Sequence, residues 1–407
     1  MTRANLGLAW ALAAFFVVVQ FYTSLAALSP TPPVGYVFVS RAGAIAMVAI
    51  LVLAALFVLP RLARERAPSF GASPAILAAW IGAAALSTAF GIDPISGVQV
   101  IGIMLLAAIF HLGLVRYYGG PPVGRVLIVA FLLAGSLAVA SALVMLALHR
   151  PAELYAYNNG RAAGAFVTAN QCAAFLLSFG FVAFGIAQAA QQRALQTLAW
   201  GATALAALAL LLTFSRSGWI AAAIAAIFLA AALQGKKVAL ALGALVLIAG
   251  LVLALRPAAR HDPADSFNRI ASLVAGVRVA ELFPVTGVGP MAYWRVYPEV
   301  RPPNGAEPGS FGALHPHDIY LSLAGELGLT GLAATVAGWF LFARAFRRSL
   351  AGLAPAGRRF ALAIAAALVA TLVQGLLDTI GVVEMSFVWI PYSALALSAA
   401  QFGPAFE

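Results

Sequence analysis

Apolar residues in this chain form long, unbroken runs and do not alternate with polar ones. The runs recur from Leu6 to the C-terminus, and each has about twenty residues, the length that an α-helix needs to cross a hydrocarbon core of roughly 30 Å. A transmembrane barrel would show alternation along its strands instead. The pattern therefore predicts an all-α integral membrane protein with about twelve transmembrane helices. The predicted spans are 6–28, 42–60, 74–91, 97–115, 126–148, 168–190, 195–213, 217–233, 238–256, 319–343, 360–377 and 385–402.

The composition agrees with lipid as the solvent of most of the chain. Hydrophobic residues occupy 63% and charged residues 9% of the 407 positions, whereas a soluble domain carries about 25% charged residues. The first apolar run is too long for a cleavable signal peptide, so we interpret it as the first span. We interpret residues 1–407 as a single polytopic membrane domain, with a long periplasmic loop at 257–317 between the ninth and tenth spans.

The loop charges predict the orientation of the helices. A net charge of +11 would suggest nucleic acid as a partner of a soluble protein, but here the basic residues gather in alternate loops, so we expect no nucleic acid. Basic loops of membrane proteins face the cytoplasm, which also places both termini there. The residues that carry this inference are Arg3, Arg61, Arg64, Arg66, Arg116, Arg125, Arg193, Lys236, Lys237, Arg344, Arg347, Arg348, Arg358 and Arg359.

The opposite side carries the long loop, with three of the five histidines of the chain, His261, His315 and His317. Every basic residue predicted on that side is an arginine. Because external arginines run against the charge rule, we expect some of them to recognise phosphate, whose oxygens match the guanidinium fork.

The most distinctive motif, HPHDIYLSLAGELG at 315–328, ends the long loop and opens the tenth span. Asp318 is a predicted helix N-cap, and His317 is then either a general base at the membrane surface or an interfacial histidine with local hydrogen bonds only. A metal site would need both histidines and a carboxylate such as Asp318, and the intervening proline disfavours joint chelation. The single cysteine, Cys172, excludes four-thiolate sites and intramolecular disulfides. We predict no metal and no cofactor.

Three further motifs place arginines on the external side. Arg216 lies in a turn between two spans, where it is either a functional residue or an arginine that snorkels to lipid phosphate. Arg161 precedes the sixth span, and Asn170 begins to enter the membrane, where its amide either contacts a ligand or packs against another helix. Arg278 is the first residue of a segment that ends in a Gly-x-Gly motif at Gly289. The arginine either binds substrate or pairs with a glutamate one helical turn away.

The order of these blocks resembles the O-antigen ligase and polymerase superfamily of bacterial membrane glycosyltransferases. The resemblance covers roughly residues 155 to 330 and rests on 161–170, the Ser-Arg-Ser-Gly turn at 215–218, 278–289 and 317–328. In this family an Asn usually follows the histidine, and here the residue is Asp318.

The resemblance implies an O-antigen ligase of GT-C-like architecture in the bacterial inner membrane. It would transfer a glycan from undecaprenyl pyrophosphate to lipid A–core in lipopolysaccharide assembly, with inversion, without metal, and in a site that faces the periplasm. The expected partners are this lipid-linked donor, the lipid A–core acceptor and membrane lipids. The implied catalytic residue is His317, and the implied substrate-binding residues are Arg161, Asn170, Arg216, Arg278 and His315.

Other functions stay open at this point. A polysaccharide polymerase and a protein O-oligosaccharyltransferase belong to the same superfamily, and the chain length and the lack of a large extra C-terminal domain favour the ligase. Twelve spans with both termini inside also fit a secondary transporter, although the long loop is late and external and no pair of interrupted helices divides the chain into halves. A flippase or an assembly scaffold is a further alternative. The oligomeric state is not predicted.

Overall fold

The computed structural model describes a helical protein, with no strand among the described residues. These residues are 49, 52, 55–56, 58–60, 71–117, 121–164, 166, 168–244, 263–308, 313, 315–376, 378, 388–402 and 406. The predicted span 6–28 lies outside them, as does most of the predicted spans 42–60 and 238–256.

Among the described residues, eight helices are long and apolar enough to cross a membrane, and each coincides with a predicted span. This confirms the all-α integral membrane class. The eight helices are α1 (Ser73–Phe90), α2 (Pro94–Tyr117), α3 (Pro121–Leu148), α5 (Ala169–Ala189), α6 (Arg193–Leu212), α7 (Arg216–Gln234), α10 (Ile319–Ser349) and α11 (Pro355–Gln374).

Shorter helices complete the described part. The predicted span 385–402 contains two short helices in its described residues, α12 (Ile390–Leu397) and α13 (Ala399–Phe402). The predicted extramembrane loop contains two helices, α8 (Pro263–Leu282) and α9 (Tyr293–Val300), and α4 (Ala152–Tyr157) precedes α5. We did not predict α8 as a helix, because its charged residues interrupt the apolar periodicity on which the span assignments rest.

Small residues let the spanning helices approach closely. At Gly185 of α5, an added Cβ would lie 2.6 Å from the Cβ of Ala363 in α11. At Gly338 of α10, it would lie 2.4 Å from Trp80 Nε1 of α1. Without a hydrophobic driving force between helices in lipid, such close packing is a main source of association.

Helices α5 and α11 run antiparallel and are joined at both ends. At one end, Gln374 Nε2 donates to the carbonyl of Asn170 (3.1 Å). At the other end, Arg359 Nε donates to the carbonyl of Gln188 (2.8 Å). These bonds define two faces of the bundle, and the sequence motifs that carry candidate chemistry all lie at the face of Asn170, which we call the site face.

Candidate active site

The histidine motif forms a short polar turn immediately before α10. Asp318 caps the helix as predicted, since its Oδ1 accepts a hydrogen bond from the backbone N–H of Leu321 (2.8 Å). His317 has a positive φ of 56°, which is uncommon for a residue other than glycine. The backbone N–H of Ile319 donates to the carbonyl of Gly375 (2.7 Å), so the start of α10 is held against the end of α11.

This junction brings a carboxylate to His317. Nδ1 of His317 lies 3.7 Å from Oδ1 of Asp378, and the two side chains are 15% and 13% exposed. The separation exceeds hydrogen-bond length, and catalytic hydrogen bonds are often long before substrate binds. A carboxylate next to Nδ1 favours the tautomer with its proton on that atom, which leaves Nε2 to accept a proton.

His315 packs against His317, with their ring centroids 4.5 Å apart in a T-shaped arrangement. Its side chain is buried, and this burial, followed by the neighbouring His317, lowers the pKa of His315 well below its usual value. His315 is therefore neutral at neutral pH, and any contact with substrate is a hydrogen bond from an uncharged ring.

Arg161 and Asn170, both predicted site residues, are directly bonded to each other. Arg161 Nη2 donates to Asn170 Oδ1 (2.9 Å), and Arg161 Nε donates to the carbonyl of Thr213 (2.7 Å). Asn170 is in turn bonded through its carbonyl to Gln374, four positions before Asp378. The arginine motif and the histidine motif are therefore joined through the last turn of α11.

Arg216 is the first residue of α7 and is exposed at the site face. Ser215 caps this helix by accepting from the backbone N–H of Gly218 (3.2 Å), and Phe214 turns the chain with a φ of 49°. Thr213, whose carbonyl accepts a hydrogen bond from Arg161, lies three residues before Arg216. Arg161 and Arg216 therefore flank the same turn.

Arg278 lies near the histidine motif but is bound to a different element. Its Nη1 donates to the carbonyl of Val300 (3.1 Å) at the end of α9. On the same helix, a Cβ added at Gly276 would lie 2.6 Å from Pro316 Cβ. Helix α8 therefore packs directly on the turn that carries His317, with Arg278 half a turn further along the helix.

The Gly-rich segment at 284–289 packs on protein rather than opening toward a ligand. The N–H groups of Val288 and Gly289 donate to the carbonyls of Gly325 and Glu326 (2.9 and 3.0 Å). A Cβ added at Gly287 would lie 2.4 Å from the Glu326 carbonyl oxygen. These glycines form a junction between the loop and α10, which gives their spacing a structural explanation.

Several site-face residues were missed by sequence reasoning. Asp378 and Gln374 lie at the end of the eleventh predicted span, where we singled out no residue. Asp93 and Arg295 form an ion pair (2.7 Å) that holds α9 against the start of α2. Burial alone would raise the pKa of Asp93, but hydrogen bonds from Ser96 and Arg295 outweigh this effect and lower it. For Asp93, Gln374 and Asp378, the available signal was a charged or amide residue at the external end of an apolar run.

Among the described residues, no group of three or more His, Cys, Asp and Glu side chains is arranged to hold a metal ion. Arginines and a His–Asp pair on one face of a membrane bundle can bind an anionic group and accept a proton.

The fold and this site define an all-α membrane protein with its polar chemistry at one end of the helical bundle. Residues 201–336 match the family model described as O-antigen ligase, which confirms the resemblance drawn from the sequence motifs. The match indicates an enzyme of the membrane glycosyltransferase type. It includes Arg216, Arg278 and His317, whereas Arg161, Asn170 and Asp378 lie outside it. No curated protein matches the chain.

Proposed function

We propose that the protein is an O-antigen ligase that transfers a glycan from undecaprenyl pyrophosphate to lipid A–core. The observation that carries this proposal is the pairing of His317 with Asp378 at a face that also holds Arg161, Arg216 and Arg278. The family match over residues 201–336 supports a transferase rather than a transporter.

In this proposal His317 is the general base. Nε2 accepts the proton of the acceptor hydroxyl while its oxygen attacks the anomeric carbon of the donor sugar. The new carbon–oxygen bond forms as the bond to the pyrophosphate oxygen breaks, and one such displacement inverts the anomeric centre. Asp378 positions the ring and stabilises the imidazolium that forms, as a carboxylate does in other histidine-dependent sites.

The arginines stabilise the leaving group. Undecaprenyl pyrophosphate departs with developing negative charge, which preorganised cations stabilise in the transition state. Arg161 is preorganised by its bonds to Asn170 and the Thr213 carbonyl, and Arg216 lies at the N-terminus of α7, where the helix dipole also favours an anion. His315 supplies an uncharged hydrogen-bonding ring to the glycan.

The orientation follows from charge. All the acidic residues whose side chains the structure describes lie at the site face, whereas the basic loop residues predicted to be cytoplasmic lie at the other face. By the positive-inside rule the site face is periplasmic and the protein belongs to the inner membrane.

A choice of acceptors tests the ligase assignment. The purified protein is given one labelled undecaprenyl-pyrophosphate glycan together with lipid A–core, with a second donor molecule alone, or with a serine-containing acceptor peptide. A ligase labels lipid A–core and leaves the donor glycan at its original length. Longer glycans on the lipid carrier would assign a polymerase instead, and a labelled peptide would assign a protein O-oligosaccharyltransferase.

A further inference from the structure

A cavity of about 780 Å³ lies between α5, α6 and α7 and the start of α11, away from the candidate active site. It exists because small side chains face one another there: a Cβ added at Gly180 of α5 would meet only Ala206 of α6, at 3.5 Å. Ala226 of α7 also lines the space. Larger residues at these positions would close the gap between the helices.

The lining changes from apolar to polar along the cavity. Its inner part is formed by side chains such as Leu177, Phe181 and Leu229. Its end at the face opposite to the site is formed by Arg358 and Arg359, with two glutamines, Gln188 and Gln234. A ligand that matches this lining has a long apolar part and a polar head at that face.

The length of the cavity corresponds to one leaflet of a bilayer. It extends along α5 from Leu176 to Gln188, which at the helical rise of 1.5 Å per residue is about 18 Å. Half of a hydrocarbon core of roughly 30 Å is about 15 Å. The apolar part therefore fits chains that enter from the Arg358 face and end near the bilayer centre.

The charge at the cavity mouth is positive. Arg358 is exposed and Arg359 is half-buried, and Arg359 uses Nε to bind the Gln188 carbonyl (2.8 Å), which fixes the direction of its guanidinium. In the described part of the chain, the acidic side chains lie at the other face of the bundle. Two adjacent guanidinium groups at a membrane surface match the oxygens of a phosphate diester.

We propose that this cavity binds one anionic phospholipid from the leaflet opposite to the candidate active site. Its phosphate lies on Arg358 and Arg359, and its acyl chains fill the space between α5, α6 and α7. The site is separate from that of the glycan donor, whose pyrophosphate belongs with Arg161 and Arg216 at the other end of the same helices.

Native mass spectrometry of the purified full-length protein tests this proposal, with phosphatidylglycerol and phosphatidylcholine of identical acyl chains as probes. Wild type should bind phosphatidylglycerol more tightly. The double variant R358Q/R359Q should weaken phosphatidylglycerol binding about 25-fold, since each arginine near a membrane surface contributes about fivefold to the attraction of an acidic lipid. It should weaken phosphatidylcholine binding much less, because the choline group already neutralises the phosphate of that lipid. The matched control R347Q/R348Q removes two adjacent arginines at the same face that do not line the cavity, and should leave both affinities unchanged.

A second variant tests the acyl-chain part with both arginines in place. Ala226→Trp fills the cavity and should reduce the binding of both lipids, whereas Ala223→Trp, on the same helix but outside the lining, should not. The proposal would be overturned if wild type bound the two lipids with equal affinity and R358Q/R359Q left both affinities unchanged. The proposal would also be overturned if undecaprenyl phosphate bound more tightly than phosphatidylglycerol and R358Q/R359Q had no effect on its binding. The cavity would then be a site for a polyprenyl chain.

Discussion

At the scale of single residues, the backbone of His317 is the most informative feature. Its φ of 56° costs about 1–2 kcal/mol for an L-residue other than glycine or asparagine, and the Asp318 cap and the Ile319–Gly375 bond hold it in place. Such strain persists where the surrounding structure enforces it, often at functional sites. The imidazole Nδ1 lies 3.7 Å from Asp378 Oδ1, which is consistent with a base in a fixed orientation.

The role of Asp378 is testable through Asp378→Asn. The amide keeps the shape of the carboxylate but does not stabilise an imidazolium, so we expect kcat to fall about 100-fold or more while KM for the lipid-linked donor stays the same. Steady-state transfer kinetics measure both constants. Glu299→Gln, a matched change of an exposed acid at the same face, serves as the control. A raised KM with normal kcat would assign Asp378 to donor binding instead.

A second residue-scale prediction concerns pH. Burial lowers the pKa of His315 in the folded protein below its usual 6.5, so the unfolded chain binds more protons between these two values, and the stability of the fold decreases as pH falls below about 6.5. Thermal unfolding in detergent should show a midpoint that drops on acidification. His315→Phe should reduce this drop, while His149→Phe, which removes an exposed histidine at the same face, should leave it unchanged. An identical pH dependence in wild type and His315→Phe would refute the assignment.

The arginine and histidine positions were predictable from sequence, but the partner of His317 was not. Motif order pointed to His317, and loop charges pointed to Arg161 and Arg216, because each lies next to an apolar run whose end can be read directly. Asp378 follows the eleventh span, and its distance from His317 depends on how α10 packs against α11. No periodicity in the sequence encodes that contact.

At the scale of elements, the junction between the loop and α10 positions the site. Helix α10 contains a residue with non-helical angles, Gly328 (φ 71°, ψ 176°). The break lets the N–H of Leu329 donate to the carbonyl of Pro284 (2.8 Å). The same loop also contacts the turn between α1 and α2, because the N–H of Ile92 donates to the Val288 carbonyl (2.8 Å). The loop is thereby attached to two transmembrane helices.

Gly328→Ala should therefore destabilise the protein. The new Cβ would lie 2.2 Å from the Val285 carbonyl oxygen, and the φ of +71° is unfavourable for alanine, so we expect a loss of at least about 2 kcal/mol. Gly82→Ala is the matched control, since this helical glycine has no atom within 4 Å of an added Cβ and alanine favours helix. Thermal unfolding compares the two. Equal midpoints in Gly328→Ala and Gly82→Ala would contradict the proposed junction.

At the scale of the whole molecule, the predictions from sequence succeeded where the apolar signal was long. In the part of the chain that the structure describes, eight predicted spans coincide with apolar helices, because a bilayer imposes length and backbone hydrogen bonding on each span independently. The helices α8 and α9 were not predicted, because charged residues interrupt the apolar periodicity of α8 and because α9 is held to the bundle by a contact distant in sequence, Asp93–Arg295. The arrangement of spans is likewise a property of packing.

The orientation is testable by labelling with an impermeant thiol reagent in intact spheroplasts. The native thiol, Cys172, is buried and is first replaced by alanine. Glu299→Cys, at the site face, should react, and Gln192→Cys, exposed at the opposite face, should react only after the membrane is opened. The reverse pattern would show that the site faces the cytoplasm and would contradict the positive-inside assignment.

The variant His317→Asn tests whether His317 acts as the base in glycan transfer. Asparagine tolerates the positive φ of this position, so the variant should fold with an unchanged unfolding midpoint and still lack a base. With purified protein, undecaprenyl-pyrophosphate glycan and lipid A–core, wild type should form glycosylated lipid A–core, and His317→Asn should be slower by about 100- to 10,000-fold. Transfer by folded His317→Asn at the wild-type rate would show that His317 is not the base.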